Sequence, residues 1–362
     1  MQKIIINGAN GYIASYFVKE LLSMNYEVVA LARNSNTIHA EQRMRNVLKK
    51  ISGQQAMNLN NLKVYSYSLL TKNYGLSEEQ LKKIFEGEID FFHFAASLKY
   101  HIRDKEEIMS TNVSGLENSL DVFLKYASPS SRFFFISTVY SCGKTSVPVK
   151  EIFFDDNGID GFRNYYEQSK RIAENRVRMY IEKEQLKAHI LRLSQVVGDN
   201  STGITKTDYG IFDFAKRLYN FSEKYSGETV RIKINPEGSQ NLIAIDNVVN
   251  YLFSTTTIND LPTIIHLAGK KSIKNDDIIK SICSLIPINI IRDKTLERKD
   301  MNPFERMIAA SMSFTGSYAG IDLKFETRNI DKLNIKNYNE VNIKSLHQML
   351  EYFINLQKKL LL

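Results

Sequence analysis

The chain has 362 residues, 43% hydrophobic and 24% charged, so it is long enough for a large core and has an ordinary globular composition. No apolar run approaches the roughly 20 residues of a membrane-spanning helix, and the N-terminus shows no secretion signal, so we expect a cytoplasmic protein without a membrane span. The net charge of +8 is consistent with an ordinary solvated surface or with attraction to phosphate-bearing ligands, but Lys and Arg are dispersed without a nucleic-acid motif, so nucleic-acid binding is not expected.

Short apolar runs alternate with amphipathic segments up to about residue 200. The predicted strands are Lys3–Asn7, Glu27–Ala32, Leu62–Tyr67, Phe91–Ala95, Arg132–Thr138 and Ala188–Leu193. The predicted helices include Tyr12–Met24, Lys105–Tyr126 and Asn164–Glu184. Nearly continuous apolar strands that alternate with helices indicate an α/β fold, a Rossmann-type doubly wound parallel sheet covered on both faces.

The regular alternation stops after residue 200, which predicts a second, smaller unit. We expect a cofactor-binding domain over 1–200 and a substrate-binding lobe formed by 201–240 and 269–340, a region that reads as irregular. The last stretch, Val341–Leu362, has apolar residues near helical spacing and predicts a docked C-terminal helix. A helix lying on a membrane surface is the alternative for this stretch.

Two apolar runs interrupt the predicted lobe, at Leu242–Ile245 and Ile264–Ala268. Both have the length and composition of buried strands. We expect them to return to the main sheet, so that about 241–268 belongs with the cofactor-binding domain.

The segment Gly8–Ala14 follows the first strand and opens a helix. Glycines at such a turn let backbone amides approach a pyrophosphate, and the helix N-terminus adds partial positive charge. This strand–turn–helix context favours a dinucleotide-binding loop over a merely tight turn. The loop residues expected to bind the cofactor are Gly8, Asn10, Gly11, Tyr12 and Ile13.

The second strand ends at Leu31-Ala32-Arg33, without the carboxylate that holds the ribose 2′-hydroxyl of NAD. An arginine there suits a 2′-phosphate, and Arg43 and Arg45 are placed to add to the phosphate pocket. We therefore expect NADPH to be preferred over NADH. In the alternative interpretation Arg33 is simply exposed and stacks on the adenine.

Tyr166 and Lys170 lie four residues apart at the head of a predicted helix, so both project from one face. A nearby ammonium favours the phenolate and lowers the pKa of a tyrosine, which suits acid–base chemistry. The same ammonium can hydrogen-bond the cofactor ribose. Tyr165 does not share this spacing and is assigned to packing.

About 30 residues upstream, an apolar strand ends in the hydroxyls of Ser137 and Thr138. Ligands of doubly wound folds bind at the carboxyl ends of strands. We expect Thr138 to hydrogen-bond a substrate carbonyl oxygen and to share the oxyanion with Tyr166. Ser137 is the competing candidate, and the hydroxyl that is not catalytic would cap a local turn.

Four motifs follow one another along the chain in the order and approximate spacing of a known enzyme superfamily. They are the glycine loop, His93-Phe94-Ala95-Ala96, Thr111-Asn112-Val113-Ser114-Gly115, and the Thr138, Tyr166, Lys170 set. Together they resemble the extended short-chain dehydrogenase/reductase superfamily over roughly residues 1–270. The resemblance implies that Ala95 and Ala96 line the adenosine-ribose side and that Asn112 supports the active site. It also implies that Asp246 belongs to a motif that returns the chain to the core.

Three segments are similar to the thioester-reductase and fatty acyl-CoA-reductase branch of this superfamily. They are Leu191–Gly203, with its Gly-Asp-Asn-Ser-Thr-Gly ending, Thr71–Ser77, and the segment around Ile38–Leu48, which resembles the branch's helix after the second strand. Leu193 departs from the proline usual in the branch, and Ser68 stands near where an aspartate commonly contacts adenine. Both departures bear on cofactor affinity and branch assignment.

This branch implies reduction of an acyl thioester, bound to a carrier protein or to coenzyme A, to an aldehyde or alcohol. Val196 and Val197 would then lie against the nicotinamide or form ordinary strand core. Related enzymes pair through the helices that carry the Tyr–Lys motif and the central Asn, which implies a homodimer. The alternatives are a sugar-nucleotide epimerase or dehydratase, a hydroxysteroid-like alcohol dehydrogenase, and a non-catalytic NADP-sensing protein.

Other residue types carry weaker signals. Two cysteines, Cys142 and Cys283, are too few for a disulfide framework or a metal cluster, and Cys142 reads more simply as a partly buried thiol than as a nucleophile. The six histidines show no HExxH or paired spacing, so no metal site is expected. Aromatic and Met residues of the predicted lobe suit either an acyl pocket or core packing. They are Phe212, Phe214, Tyr219, Phe221, Phe304 and Met307.

Overall fold

The structure is a computed structural model that describes residues 3–53, 57–154, 161–312, 316–333 and 338–361. Its strands are β1 (Lys3–Asn7), β2 (Glu27–Ala32), β3 (Leu62–Ser66), β4 (Ile89–His93), β5 (Arg132–Thr138), β6 (Ala188–Leu193), β7 (Gln195–Val197), β8 (Thr229–Ile232), β9 (Ser239–Ala244), β10 (Ile264–Leu267), β11 (Ser272–Lys274) and β12 (Asn289–Arg292).

The α-helices found among the described residues lie between and after these strands. They are α1 (Tyr12–Ser23), α2 (Ala40–Ser52), α3 (Glu78–Ile84), α4 (Lys105–Met109), α5 (Gly115–Tyr126), α6 (Tyr165–Glu184), α7 (Ile211–Ser222), α8 (Ile245–Thr257), α9 (Asn275–Cys283), α10 (Pro303–Ser311) and α11 (Ile343–Leu361). No helix in the described part of the chain is long and apolar enough to cross a membrane.

The main sheet has seven parallel strands in the order β10-β6-β5-β4-β1-β2-β3. The strand order reverses between β1 and β4, where Asn7 stands opposite His93. Ligands of doubly wound folds bind at the carboxyl ends of the strands beside such a reversal. The predicted fold class is confirmed.

Helices cover both faces of this sheet because the strands are apolar on both sides. In β1, Ile4 and Ile6 pack into one cluster with Phe17 of α1, whereas Ile5 packs into a second cluster with Leu120 of α5. Alternate side chains of a strand point to opposite faces, so a strand between two helical layers must be apolar throughout. The continuous apolar runs in the sequence therefore indicate that helices cover both faces of the sheet.

Several predicted boundaries differ from the observed ones by one or two residues, and one predicted helix is interrupted. Strand β4 ends at His93 rather than Ala95, because the Asn7 side-chain oxygen accepts the backbone N–H groups of Phe94 and Ala95 at 2.9 and 3.0 Å. The helix predicted over Lys105–Tyr126 contains a π-helical turn, Ser110–Ser114, between α4 and α5. Such turns are frequent at functional sites.

One returning segment was predicted wrongly. Ile264–Leu267 joins the main sheet beside β6 as expected. The Leu242–Ile245 run instead belongs largely to β9, which pairs with β7 and β11 in a separate three-stranded sheet. Strand β7 follows β6 after Ser194 and offers β9 an edge, whereas β10 occupies the edge of β6 in the main sheet.

The region expected to be irregular contains regular elements, among them α9, α10 and the β12 strand that pairs with β8. Helix α10 begins with a capping box in which Asn302 and Glu305 bond each other's backbone N–H groups, with Pro303 at the first helical position. A proline in a stretch predicted to be irregular thus starts a helix rather than ending one.

Helix α11 packs on α7 and α9 through its apolar face. Leu346, Met349, Leu350, Phe353 and Ile354 are buried there, in a cluster that also contains Phe212 and Ile282. The docked C-terminal helix is therefore observed, with Leu362 outside the described residues. The expected division into a cofactor-binding domain and a substrate-binding lobe stays a prediction.

Candidate active site

A cavity of about 510 Å³ opens at the carboxyl ends of β1, β4 and β5, beside the reversal of strand order. Its wall contains predicted site residues from six separate stretches of chain. They are Gly8, Asn10, Gly11, Tyr12, Ile13, Arg33, Ala95, Ala96, Thr138, Tyr166, Lys170 and Val196. The fold thus brings most of the predicted residues together. Asn112, Arg43 and Val197 lie behind or beside this wall.

The glycine loop has the geometry of a phosphate cradle. Gly8 has a φ of +64°, and a Cβ at this position would lie 2.9 Å from the backbone nitrogen of Ala95. Both the backbone conformation and the steric clash therefore exclude any residue larger than glycine. Gly11 precedes α1 without a side-chain cap, and the first turn of α1 has no acidic residue. The backbone N–H groups of that turn and their partial positive charge suit the pyrophosphate of a dinucleotide.

Tyr67 supports the same loop and was not predicted from the sequence. Its hydroxyl accepts the backbone N–H of Gly8 at 3.2 Å, its ring lines the cavity, and burial raises its pKa to about 12. The raised pKa keeps the phenol neutral. A tyrosine just after β3 carries no motif, so only the fold reveals this contact.

Arg33 lies where the adenosine end of a dinucleotide is expected. It is exposed, follows β2 directly and lines the cavity. Arg43 does not reach the wall, since its guanidinium donates to the backbone carbonyl of Arg33. Arg45 pairs with Glu41 on the exposed face of α2. Arg43 therefore holds the loop that presents Arg33, and its own contact with a cofactor stays a prediction.

The two hydroxyls at the end of β5 have different environments. Ser137 is buried and donates to a carboxylate oxygen of Glu174 at 2.5 Å. The Thr138 hydroxyl donates to the carbonyl of Leu193 at 3.2 Å and accepts the backbone N–H of Tyr140 at 3.3 Å. Both bonds of Thr138 are long, so this hydroxyl is the easier of the two to redirect toward a substrate oxygen.

Helix α6 carries Tyr166 and Lys170 into the cavity from a cap formed by Asn164, whose side chain accepts the backbone N–H of Glu167 at 3.0 Å. The Lys170 ammonium donates to the carbonyl of Ile136 at 2.8 Å and lies 4.7 Å from the Phe135 ring centre. Lys170 is only 4% exposed. Burial lowers the pKa of Lys170 to about 8, against the opposing effect of Glu174.

The expected lowering of the Tyr166 pKa by Lys170 is not seen in this structure. Burial raises the pKa of Tyr166, and the negative charge of Glu167 raises it further. The Lys170 ammonium is directed to the Ile136 carbonyl instead. Tyr166 is therefore a neutral phenol at neutral pH, which is the form that donates a proton.

Asn112 lies behind the cavity in the π-helical turn. Its side-chain oxygen accepts the backbone N–H of Ser97 at 2.7 Å, and its amide donates to Ser169 at 2.8 Å. The Ser169 hydroxyl in turn donates to the carbonyl of Tyr166 at 2.8 Å. Asn112 thus connects the loop after β4 to the helix that carries Tyr166, which agrees with a supporting role.

The two valines of β7 face opposite sides. Val196 lines the cavity, whereas Val197 is fully buried in the core of the C-terminal part of the chain. The carbonyl of Val197 accepts the Tyr12 hydroxyl at 3.0 Å. Adjacent residues of a strand point to opposite faces, so Val196 and Val197 cannot both contact a nicotinamide ring. Val196 is the one placed for such a contact.

The far wall of the cavity comes from the C-terminal part of the chain and is mostly apolar. Among the aromatic and Met residues singled out from the sequence, Phe214 lines it, Phe212, Tyr219 and Phe221 are core, Phe304 packs against that core, and Met307 is exposed. We call the apolar wall the set Ile211, Phe214, Ile234, Ile278, Ile279 and Met312. The isoleucines of the apolar wall come from 201–240 and 269–340, the region predicted to be irregular.

Comparison with known proteins identifies relatives of this chain in sequence and in fold. A nonribosomal peptide synthetase, asaC, from Aspergillus flavus is 25% identical over 264 residues, covering 70% of this chain and 25% of that protein. This chain therefore spans about a quarter of that relative. The terminal R domain from the myxalamid PKS-NRPS pathway has a TM-score of 0.76 at 17% identity, covering 99% of this chain and 92% of the domain.

A UDP-glucose 4-epimerase from Thermotoga maritima has the same fold, with a TM-score of 0.66 at 18% identity and complete coverage of both chains. At this identity both structural matches describe the fold alone. The family model described as male sterility protein, an NAD-binding model, matches residues 6–252, more than half of the chain. The chain belongs to this male sterility protein family of NAD(P)-dependent enzymes, within the extended short-chain dehydrogenase/reductase superfamily.

Proposed function

We propose that the protein is an NADPH-dependent reductase of acyl thioesters. The observation that carries this proposal is the apolar wall, which lines the same cavity as Thr138 and Tyr166. Among the described residues that line the C-terminal side of the cavity, Lys206 is the sole cation. A sugar nucleotide carries a diphosphate, which calls for charged or N–H donors, whereas an acyl chain calls for apolar contacts.

The chain's own residues supply proton donation and oxyanion stabilisation. The bound cofactor, when reduced, supplies the hydride. Thr138 and Tyr166 donate hydrogen bonds to the carbonyl oxygen as negative charge develops there, and the neutral Tyr166 phenol delivers the proton. Lys170, one helical turn after Tyr166, adds a buried positive charge whose ammonium donates to the carbonyl of Ile136. Loss of the thiol from the resulting hemithioacetal yields an aldehyde, and a second hydride transfer to that aldehyde would give an alcohol.

The preference for NADPH rests on Arg33. This cation follows β2 at the position where NAD-preferring folds place a carboxylate, and Arg43 fixes its backbone. No Asp or Glu lies between Glu27 and Glu41 in the sequence to attract a ribose hydroxyl. We therefore infer that the 2′-phosphate contributes to binding.

The acyl donor is proposed to be a carrier-protein thioester or a coenzyme A ester. The family relatives include a synthetase of which this chain matches only a quarter. Both donors are acidic, which suits the net charge of +8. The cytoplasmic location and the homodimer expected from the sequence stay predictions.

A substrate screen tests the proposal. Oxidation of NADPH is followed at 340 nm, roughly the reduced-nicotinamide absorbance maximum, with acyl-CoA esters of increasing chain length and with an acyl-loaded carrier protein. UDP-glucose and UDP-galactose serve as the contrasting substrates, with epimer formation followed by chromatography. We expect NADPH oxidation and aldehyde release with a thioester only. Epimer formation without thioester reduction would assign the site to sugar-nucleotide chemistry instead.

A further inference from the structure

Tyr318 and Ala319, which follow α10 in the chain, connect the apolar wall to the head of α6. The carbonyl of Ala319 accepts the backbone N–H of Asn235 at 3.2 Å and the Asn275 side chain at 3.1 Å. The carbonyl of Tyr318 accepts the Gln240 side chain at 3.2 Å. Tyr318 and Ala319 both line the cavity. The backbone at Tyr318 and Ala319 is thus bonded to the elements that carry the apolar wall.

The side chain of Tyr318 crosses to the other half of the molecule. Its hydroxyl donates to a carboxylate oxygen of Glu167 at 2.6 Å and accepts the Asn164 side-chain amide at 2.9 Å. Its ring packs edge-on against Tyr140 at 5.1 Å, and the Arg163 guanidinium lies 5.7 Å from its centre. One side chain therefore contacts the cap of α6, its first turn and the turn after β5.

Glu167 is a costly residue to bury without such partners. It is 0% exposed, and an unpaired buried carboxylate is strongly unfavourable. Arg163 lies 3.3 Å from each carboxylate oxygen, and its backbone N–H donates at 3.0 Å. Burial raises the pKa of Glu167, and the bonds from Arg163 and Tyr318 oppose that rise. The Tyr318 hydroxyl is thus part of what keeps this carboxylate in place.

Glu167 follows Tyr166 directly, so its anchoring fixes the turn that aims the phenol. We propose that Tyr318 is a positioning residue for Tyr166, linking the apolar wall to the first turn of α6. A substrate bound against the apolar wall would also contact Tyr318 and Ala319, which line the same cavity and hold this turn. Only the kinetic consequence rests on the proposed reductase function; the structural link does not.

The test compares Tyr318→Phe with a matched control, Tyr180→Phe. The control also removes a 2.6 Å bond from a tyrosine hydroxyl to a carboxylate, that of Asp121, but at the far end of the same helix. Backbone hydrogen exchange over residues 163–170 is measured in both full-length variants. We expect exchange there to rise at least about tenfold in Tyr318→Phe, because local opening becomes easier, and to stay unchanged in Tyr180→Phe.

The kinetic arm uses whichever substrate the wild type turns over. Tyr318→Phe should lower kcat about tenfold with KM for NADPH within about twofold, since small misplacements of a reacting group are costly. Unchanged exchange over 163–170, or an unchanged kcat with a raised KM for the acyl substrate, would overturn the proposal. In the second case Tyr318 would merely contact substrate.

A second pair of variants covers a failure of Tyr318→Phe to fold. Glu167→Gln keeps an oxygen that accepts from Tyr318, whereas Glu167→Leu does not. Slow exchange over 163–170 should persist in the first and be lost in the second; equal exchange in both would refute the link. If the wild type reduces no thioester, the proposed function fails while the exchange experiment still decides the role of Tyr318.

Discussion

The Lys170 ammonium donates a 2.8 Å hydrogen bond to the carbonyl oxygen of Ile136, two residues before Thr138. This bond ties α6, which carries Tyr166, to the end of the strand that carries Thr138. The positions of Thr138 and Tyr166, the two proposed donors to the substrate oxygen, are thus linked through a buried cation. Loss of that charge should affect the geometry and the electrostatics of the site together.

A pH dependence follows from this arrangement. Burial lowers the pKa of Lys170 to about 8, so the ammonium is populated below that pH and lost as the pH rises through it. We expect kcat/KM for reduction to fall above about pH 8 with a single ionisation. Initial rates between pH 6 and 10, roughly the range that brackets this ionisation, give the profile.

Replacement of Lys170 provides the control for the predicted fall in kcat/KM at high pH. Lys170→Met should be nearly inactive at every pH and should lack the ionisation. A wild-type profile that rises between pH 7 and 9, roughly the span around the lysine pKa, would contradict a role for the ammonium.

Tyr166→Phe tests the proton donor. The change removes one hydroxyl and leaves the ring, so reduction should fall by at least about a hundredfold, the usual range for a general acid. Cofactor binding, followed by NADPH fluorescence, should stay within about twofold because the glycine loop is untouched. Tyr165→Phe is the matched control on the adjacent residue and should keep near-wild-type rates. Full activity in Tyr166→Phe would remove this residue from the mechanism.

The adjacent hydroxyls of β5 make separable predictions. Thr138→Ala should lower kcat by roughly 10²- to 10³-fold, as for loss of an oxyanion donor, with little change in stability. Ser137→Ala should act mainly on stability, costing about 1–3 kcal/mol, because it withdraws a buried donor from the Glu174 carboxylate. Steady-state kinetics and denaturant unfolding of both variants separate the two effects. The opposite pattern would make Ser137 the catalytic hydroxyl.

The parts of the site that the sequence predicts are those built from local chemistry. The glycine loop requires a positive φ at Gly8, and the Tyr166–Lys170 pair requires only helical spacing. Strand β4 ends before its predicted end because the Asn7 side-chain oxygen, far earlier in the chain, accepts the backbone N–H groups of Phe94 and Ala95. Long-range partners of this kind leave no local pattern.

The apolar wall was likewise not predictable from local sequence patterns. Ile278 and Ile279 belong to α9, a nine-residue helix with no side-chain cap bond, in a stretch that read as irregular. Tyr67, Glu174 and Tyr318 carry no motif, and each acts through a residue far away in the chain. Apolar periodicity over such short elements does not distinguish a pocket from a core.

Arg33 makes cofactor preference testable. Arg33→Asp removes the cation proposed to bind the 2′-phosphate and places a carboxylate at the end of β2. A charge-assisted bond is worth about 2 kcal/mol, so KM for NADPH should rise by roughly 30-fold while KM for NADH falls. Arg45→Asp, on the exposed face of α2, should leave both values unchanged. An unaltered NADPH/NADH ratio in Arg33→Asp would show that Arg33 only stacks on or borders the adenine.

The buried pair behind the site predicts a large stability effect. Arg192 donates to Glu174 at 2.7 Å, and the two side chains are 0% and 1% exposed. Arg192→Met leaves that carboxylate uncompensated, so the free energy of unfolding should fall by about 3–5 kcal/mol.

Two further variants isolate this effect from a general consequence of removing an arginine. The double variant Arg192→Met, Glu174→Gln should recover part of the loss because no buried charge remains unpaired. Arg45→Met breaks the exposed pair with Glu41 and should cost less than about 1 kcal/mol. Urea unfolding of the four proteins gives all the values. Equal losses in the two single variants would mean that Glu174 finds other donors, Ser137 and Ser141 being those already bonded to it.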